Sequence, residues 1–132
     1  KTPWLEPAEA EINDFSVSLL YNFFDPDNYL STAALLYSGD PYLQQQVRTV
    51  LEHSGDNIDA EGQLPHHFSG VSPTYQALTG MTQTGPNVFW SLSCFNYVKM
   101  SGDVAWLRGY MPTIRKASAF LYGMFVPDTG LL

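Results

Sequence analysis

Two acids two positions apart, Asp59 and Glu61, lie in the polar run Asp59-Ala60-Glu61-Gly62-Gln63-Leu64-Pro65, and the pair His66-His67 follows at once. Residues two apart in an extended segment address the same side, so both carboxyl groups can face one ligand. Adjacent histidines point to opposite sides, so His66 and His67 form a zinc site only if Asp or Glu fills it. No metal ion and no cofactor is expected. Asp25 and Asp27, beside Pro26 and Asn28, stand before an apolar stretch, where an acid serves as a helix cap or as a further carboxylate. The run Asp128-Thr129-Gly130 repeats the acid-before-glycine pattern of Asp59 to Gly62. That recurrence gives Asp59 and Glu61 a competing role, the Asx-type hydrogen bonding of a loop to its own backbone.

The elements that must hold these residues are helices. After the apolar stretch of residues 29–37 comes Ser38-Gly39-Asp40-Pro41. Here Gly39 can close one helix in the left-handed conformation, Asp40 can cap the next, and Pro41 suits its first turn. Leu43, Val47, Val50 and Leu51 then make a one-sided helix over residues 41–54. The construction returns at Ser101-Gly102-Asp103. Before it, residues 88–100 are apolar on almost every side, which predicts a helix buried all round; Phe95 is expected to be enclosed. After it, Leu107, Met111, Ile114 and Leu121 form one stripe, and Pro112 is expected to bend or restart that helix. Asn87 is expected to cap the buried helix, and Trp106 and Cys94 are expected to be structural.

This is an internal repeat of buried helix, tight turn, one-sided helix and glycine loop. Ile12, Phe15, Leu19, Leu20 and Phe23 place an outer helix of a preceding copy at about residues 7–24. Hairpins follow at about 28–54 and 88–123, joined by a long loop over 55–87, which is far longer than helix connections usually are. Fully buried helices paired with half-buried ones describe two concentric layers. About two and a half hairpins cannot close such a ring, so residues 1–132 are expected to be one part of it, completed by the remainder of a longer chain or by other chains.

Composition narrows the function. Hydrophobic residues are 45% and charged residues 14%, against roughly 25% charged in an average domain, which excludes a disordered tail. The net charge of -7 is uneven: residues 1–66 hold eleven acids against Lys1 and Arg48, residues 67–132 two acids against four bases. An acidic chain lacks the electrostatic footprint for nucleic acid or for an anionic membrane surface. One cysteine builds neither a disulfide framework nor a zinc knuckle, and no Asn begins an Asn-x-Ser/Thr acceptor. The compartment stays undecided.

Gly62-Gln63-Leu64-Pro65-His66, Thr84-Gly85-Pro86-Asn87-Val88-Phe89-Trp90, Asn96-Tyr97, Ser101-Gly102-Asp103 with Trp106-Leu107, and Asp128-Thr129-Gly130-Leu131-Leu132, in that order and spacing, resemble the six-hairpin glycosidase superfamily. The resemblance covers residues 28–132. It implies an all-α fold, an α/α toroid of inner and outer helices, with the loops that enter the inner helices facing a sugar-binding funnel. It further implies hydrolysis of O-glycosidic bonds by paired carboxylates, with an oligosaccharide or glycoside as substrate, and slightly favours a secreted location. Such hydrolysis uses two carboxyl groups ~5–5.5 Å apart for retention or ~6.5–9.5 Å apart for inversion. Glu61 and Asp59 are the catalytic candidates on this reading. His66 or His67 would donate to a sugar hydroxyl, Trp90 would offer a ring face to sugar C–H groups, and Asp27, Tyr75 and Gln83 are further substrate contacts. Ordinary core packing is the competing role for Trp90. A different class also fits the repeats: a non-catalytic helical scaffold or glycan-binding module.

Overall fold

The computed structural model describes residues 22–69, 71–77 and 80–130. The first hairpin is α1 (Asp25–Tyr37) and α2 (Pro41–Asp56), and the second is α3 (Gly85–Ser101) and α4 (Val104–Met124). Both tight turns form as the sequence predicts. Gly39 and Gly102 take φ of 70° and 72°, which a residue with a Cβ resists. Asp40 Oδ1 accepts from the amides of Tyr42 and Leu43, and Asp103 Oδ1 from that of Trp106. Each carboxylate thereby satisfies amides at a helix start that have no partner within the helix. Pro112 neither ends nor restarts α4, which runs through it as one helix of 21 residues.

The described chain is largely helical, with one small antiparallel sheet that periodicity did not predict. Its strands are β1 (Asn22–Phe24), β2 (His67–Ser69) and β3 (Ser72–Thr74), in the order β1-β2-β3. The register sets Phe24 opposite His67, and His67 opposite Thr74. Residues 22–24 are therefore strand and not the end of the helix expected over 7–24; residues 7–21 of that helix lie outside the described residues. Because β1 leads directly into α1, its pairing with β2 fastens the long crossover of residues 55–87 to the N-terminal end of α1.

α1 and α3 lie side by side in the most extensive contact, α2 rests on both, and α4 rests mainly on α3. Leu36, Val47, Leu51, Leu64, Trp90, Cys94, Tyr97, Trp106 and Ala117 form the core. Each fully buried aliphatic side chain there contributes roughly 1.5–3 kcal/mol. Beside the second tight turn Trp106 is a buried staple: it stacks on Tyr110, and its indole N–H donates to Glu52 Oε1 at 3.1 Å. Arg48 joins Glu52 at 2.8 Å and Asp103 at 3.5 Å. No helix of the described residues is long and apolar enough to cross a membrane.

One expectation is corrected. α3 is covered by α1, α2 and α4 but not on its fourth side, where Leu92 is 42% and Phe95 62% exposed. Phe95 is therefore not an enclosed core residue. Apolar residues around a whole helix require burial all round only if neighbours exist on all sides, and the described residues supply three.

Candidate functional site

The crossover is built around Asp59. Its Oδ1 accepts from the amides of Glu61, Gly62 and Gln63 at 3.0, 2.8 and 2.8 Å, and its own amide donates to Gln63 O at 3.0 Å. One carboxylate oxygen thus folds the turn that presents Glu61. Asn87, fully buried in the first turn of α3, clamps this turn to the helices. Its Oδ1 accepts from the Leu64 amide at 2.9 Å, and its Nδ2 donates to Gly62 O at 2.7 Å and Ala117 O at 3.0 Å. The expected cap role of Asn87 is replaced by this one: Thr84 occupies the cap position, and Asn87 bridges three segments.

The returning strand is tied to the same turn. Gln63 Nε2 donates to Tyr75 O at 2.6 Å, Tyr75 Oη donates to Asn57 O at 2.8 Å, and the His66 amide donates to Thr74 O at 2.8 Å. Between them opens a polar concavity of about 520 Å³ lined by Glu61, Gln63, Thr74, Tyr75, Gln76 and Thr82, with Pro73 at its edge. Glu61 is exposed above it. Burial, and then the charge of Asp59, push the Tyr75 phenol above its ordinary value, so it stays a neutral donor and acceptor.

Of the residues predicted from sequence, Glu61 and Tyr75 meet at this concavity, with Asp59 as the support of the Glu61 turn. His66 is half-buried beside the sheet and His67 is 4% exposed within it, the two Nδ1 atoms 3.0 Å apart. Asp27 lies in the first turn of α1, and Gln83 is exposed just past the bridge between Gln76 and Thr82. Trp90 does not line the concavity. It is 3% exposed, and its indole N–H donates to Leu51 O at 2.9 Å. It takes the core role because its position on α3 faces α2. Among the described residues no three His, Cys, Asp or Glu side chains are grouped to hold a metal ion.

Comparison of the chain with protein-family models, with curated proteins and with solved structures finds no match. The site is therefore defined by its geometry: one exposed carboxylate, one neutral phenol, and amide and hydroxyl side chains around a hollow beside β3 and the segment that leads into α3. Gln63, Gln76 and Thr82 carry no sequence signal, because only the fold of the crossover brings them together.

The buried histidine gives the site a pH dependence. Burial, and then the charge of His66, hold His67 below its ordinary value of 6.5. Folding thus opposes its protonation, so the stability it contributes is complete above pH 6.5 and is lost as pH falls through its lowered folded value. Thermal melting between pH 7.5 and 5 should show the midpoint falling with pH, and His67→Gln should flatten that fall. Equal slopes in both proteins would remove His67 as the cause.

Proposed function

We propose that this chain contributes two neighbouring hairpins of an α/α toroid to a carbohydrate-active enzyme, and that the crossover walls part of the sugar-binding mouth. The observation that carries the reading is the gathering of the crossover at the N-terminal ends of α1 and α3, through β1–β2 pairing and through Asn87, with a polar hollow opening within the crossover beside β3. Glu61 is the carboxylate offered to the glycosidic oxygen or to water. Asp59 positions it through the loop backbone, while Tyr75 and His66 contact sugar hydroxyls. Hydrolysis needs a second carboxyl within ~5–9.5 Å of the first. In this reading Asp25, Asp27 or Asp128 supplies it, or a hairpin outside residues 1–132 does.

Titration of the isotope-labelled chain with neutral oligosaccharides, followed by amide shifts, tests this. Saturable shifts are expected at Gln63, Thr74 to Gln76 and Thr82, with none in Glu61→Gln combined with Tyr75→Ala. The chain alone is expected to release no product from aryl glycosides. The absence of shifts up to millimolar sugar would favour the scaffold reading, and robust turnover by the isolated chain would show that it is a complete catalytic unit.

A further inference from the structure

The concavity beside β3 has a hydrogen-bonding polarity that follows from which atoms of its walls are already committed. Gln63 is 7% exposed, and its Nε2 donates to Tyr75 O at 2.6 Å. A carbonyl oxygen only accepts, so the orientation of this amide is fixed and Oε1 is the atom left over. Among the described residues Oε1 has no partner, and it is not sealed from solvent. Since Gln63 lines the hollow, that acceptor opens into it. Tyr75 commits its one hydroxyl proton to Asn57 O at 2.8 Å, so its phenol has only lone pairs left to offer. Glu61 adds a carboxylate, which accepts and does not donate; it is exposed and forms no ion pair among the described residues. The groups whose polarity is settled are thus all acceptors.

Charge acts in the same direction. No Lys or Arg lines the hollow; Arg48 is held by Glu52 and Asp103, and Lys99 lies over the Phe95 ring. Asp59 sets a second negative charge behind the Glu61 turn, and after burial it is this charge that raises the Tyr75 phenol. A ligand carrying an acid is repelled here and sets acceptor against acceptor, whereas an ammonium is attracted and brings only donors. Thr74, Gln76 and Thr82 can donate or accept, so they fit hydroxyls of the same ligand. A hard metal cation would also suit oxygens, but it needs about six to eight of them converging at ~2.3–2.6 Å. The hollow is about 520 Å³ with one carboxylate on its lining, which is the size of a site for an organic ligand.

We propose that the concavity takes a glycan bearing a protonated amino group, with Glu61 beside the ammonium and with Gln63 Oε1 and Tyr75 Oη accepting from it and from neighbouring hydroxyls. Glu61 is then a specificity residue: neutral sugars bind more weakly, and uronates are turned away. In a 2-amino sugar the ammonium stands on the carbon next to the glycosidic bond, so a single carboxylate can address both. The inference rests on the carbohydrate reading and narrows its substrate class.

Amide-shift titrations of the chain test it, with tetramers of glucosamine, glucose and glucuronate that share one linkage, in weakly acidic buffer that charges the amines and leaves the chain folded. The glucosamine tetramer is expected to bind about fivefold more tightly than the glucose tetramer, the scale of an exposed ion pair. That advantage should shrink as salt is raised. The glucuronate tetramer should give no saturable shift at Gln63, Tyr75 or Thr82. Glu61→Gln should bring the glucosamine and glucose tetramers level, and Glu61→Lys should favour the glucuronate tetramer, a reversal that loss of folding cannot produce. Equal binding of the amino and neutral tetramers by the unaltered chain, or glucuronate bound as tightly, overturns the inference and leaves the carbohydrate reading standing. Calcium chloride alone moving the same amides at comparable concentration overturns it in favour of a cation site. Absence of shifts with all the sugars overturns both readings.

Discussion

Asn87→Ala is expected to destabilise the fold by about 3–5 kcal/mol, a large part of the stability of any small domain. The size follows from what would be left behind. Asn87 and Leu64 are both fully buried, so no water replaces the lost side chain at the Leu64 amide or at the Gly62 carbonyl. Each buried group left without a partner costs roughly 1–3 kcal/mol. Ala117 O, inside α4, loses the bond that ties the helix to the crossover. Asn87→Asp preserves the shape while setting a carboxylate oxygen against two carbonyls, so it should be at least as damaging. Equilibrium urea unfolding measures both variants, and hydrogen exchange at Gly62 to Leu64 should rise in whatever fraction stays folded. A loss below about 1 kcal/mol would mean that the crossover is held by other contacts.

The features legible in the sequence are those whose cause is local. Gly39 and Gly102 donate to carbonyls three and four residues back, Asp40 and Asp103 accept from amides two and three residues on, and their turns form as read. Asp59 is similar: its bonds run to Glu61, Gly62 and Gln63, and the echo at Asp128 pointed to such a loop role. The rest depends on partners far along the chain. Trp90 and Phe95 look alike in sequence, two aromatics on one apolar helix, yet one faces α2 and the other faces an open groove. Asn87 beside Pro86 at a helix start carries the signal of a cap, and nothing local announces that Gly62 and Ala117 lie within reach. The sheet escaped because strands of three residues are too short for alternation to register, and β1 pairs with β2 across more than forty residues. The concavity was therefore half visible: Glu61 and Tyr75 by residue type, and Gln63, Gln76 and Thr82 only through the folded crossover.

The second large effect is expected at Gly62. Its φ is +96°, a conformation that costs a residue with a Cβ roughly 1–2 kcal/mol. A Cβ there would also lie 2.5 Å from Lys116 O and 3.2 Å from Lys116 C, both backbone atoms of α4 that cannot rotate aside. Relief requires the crossover to lift from α4, which breaks the Asn87 bond to Gly62 O and strains the amides held by Asp59. Gly62→Ala should therefore destabilise by more than about 3 kcal/mol, adding a broken buried hydrogen bond to the conformational penalty. Gly39→Ala is the matched control, since its φ is +70° and a methyl group there would meet nothing within 4 Å; it should lose only about 1 kcal/mol. The difference between the two isolates the contact with α4. It has a functional reading as well: lifting the turn moves Glu61 and Gln63 away from Tyr75, so oligosaccharide shifts at the concavity should weaken in folded Gly62→Ala and persist in Gly39→Ala. Equal losses of stability in the two variants would show that the crossover is not pressed against α4, and the concavity would lose its rigid wall.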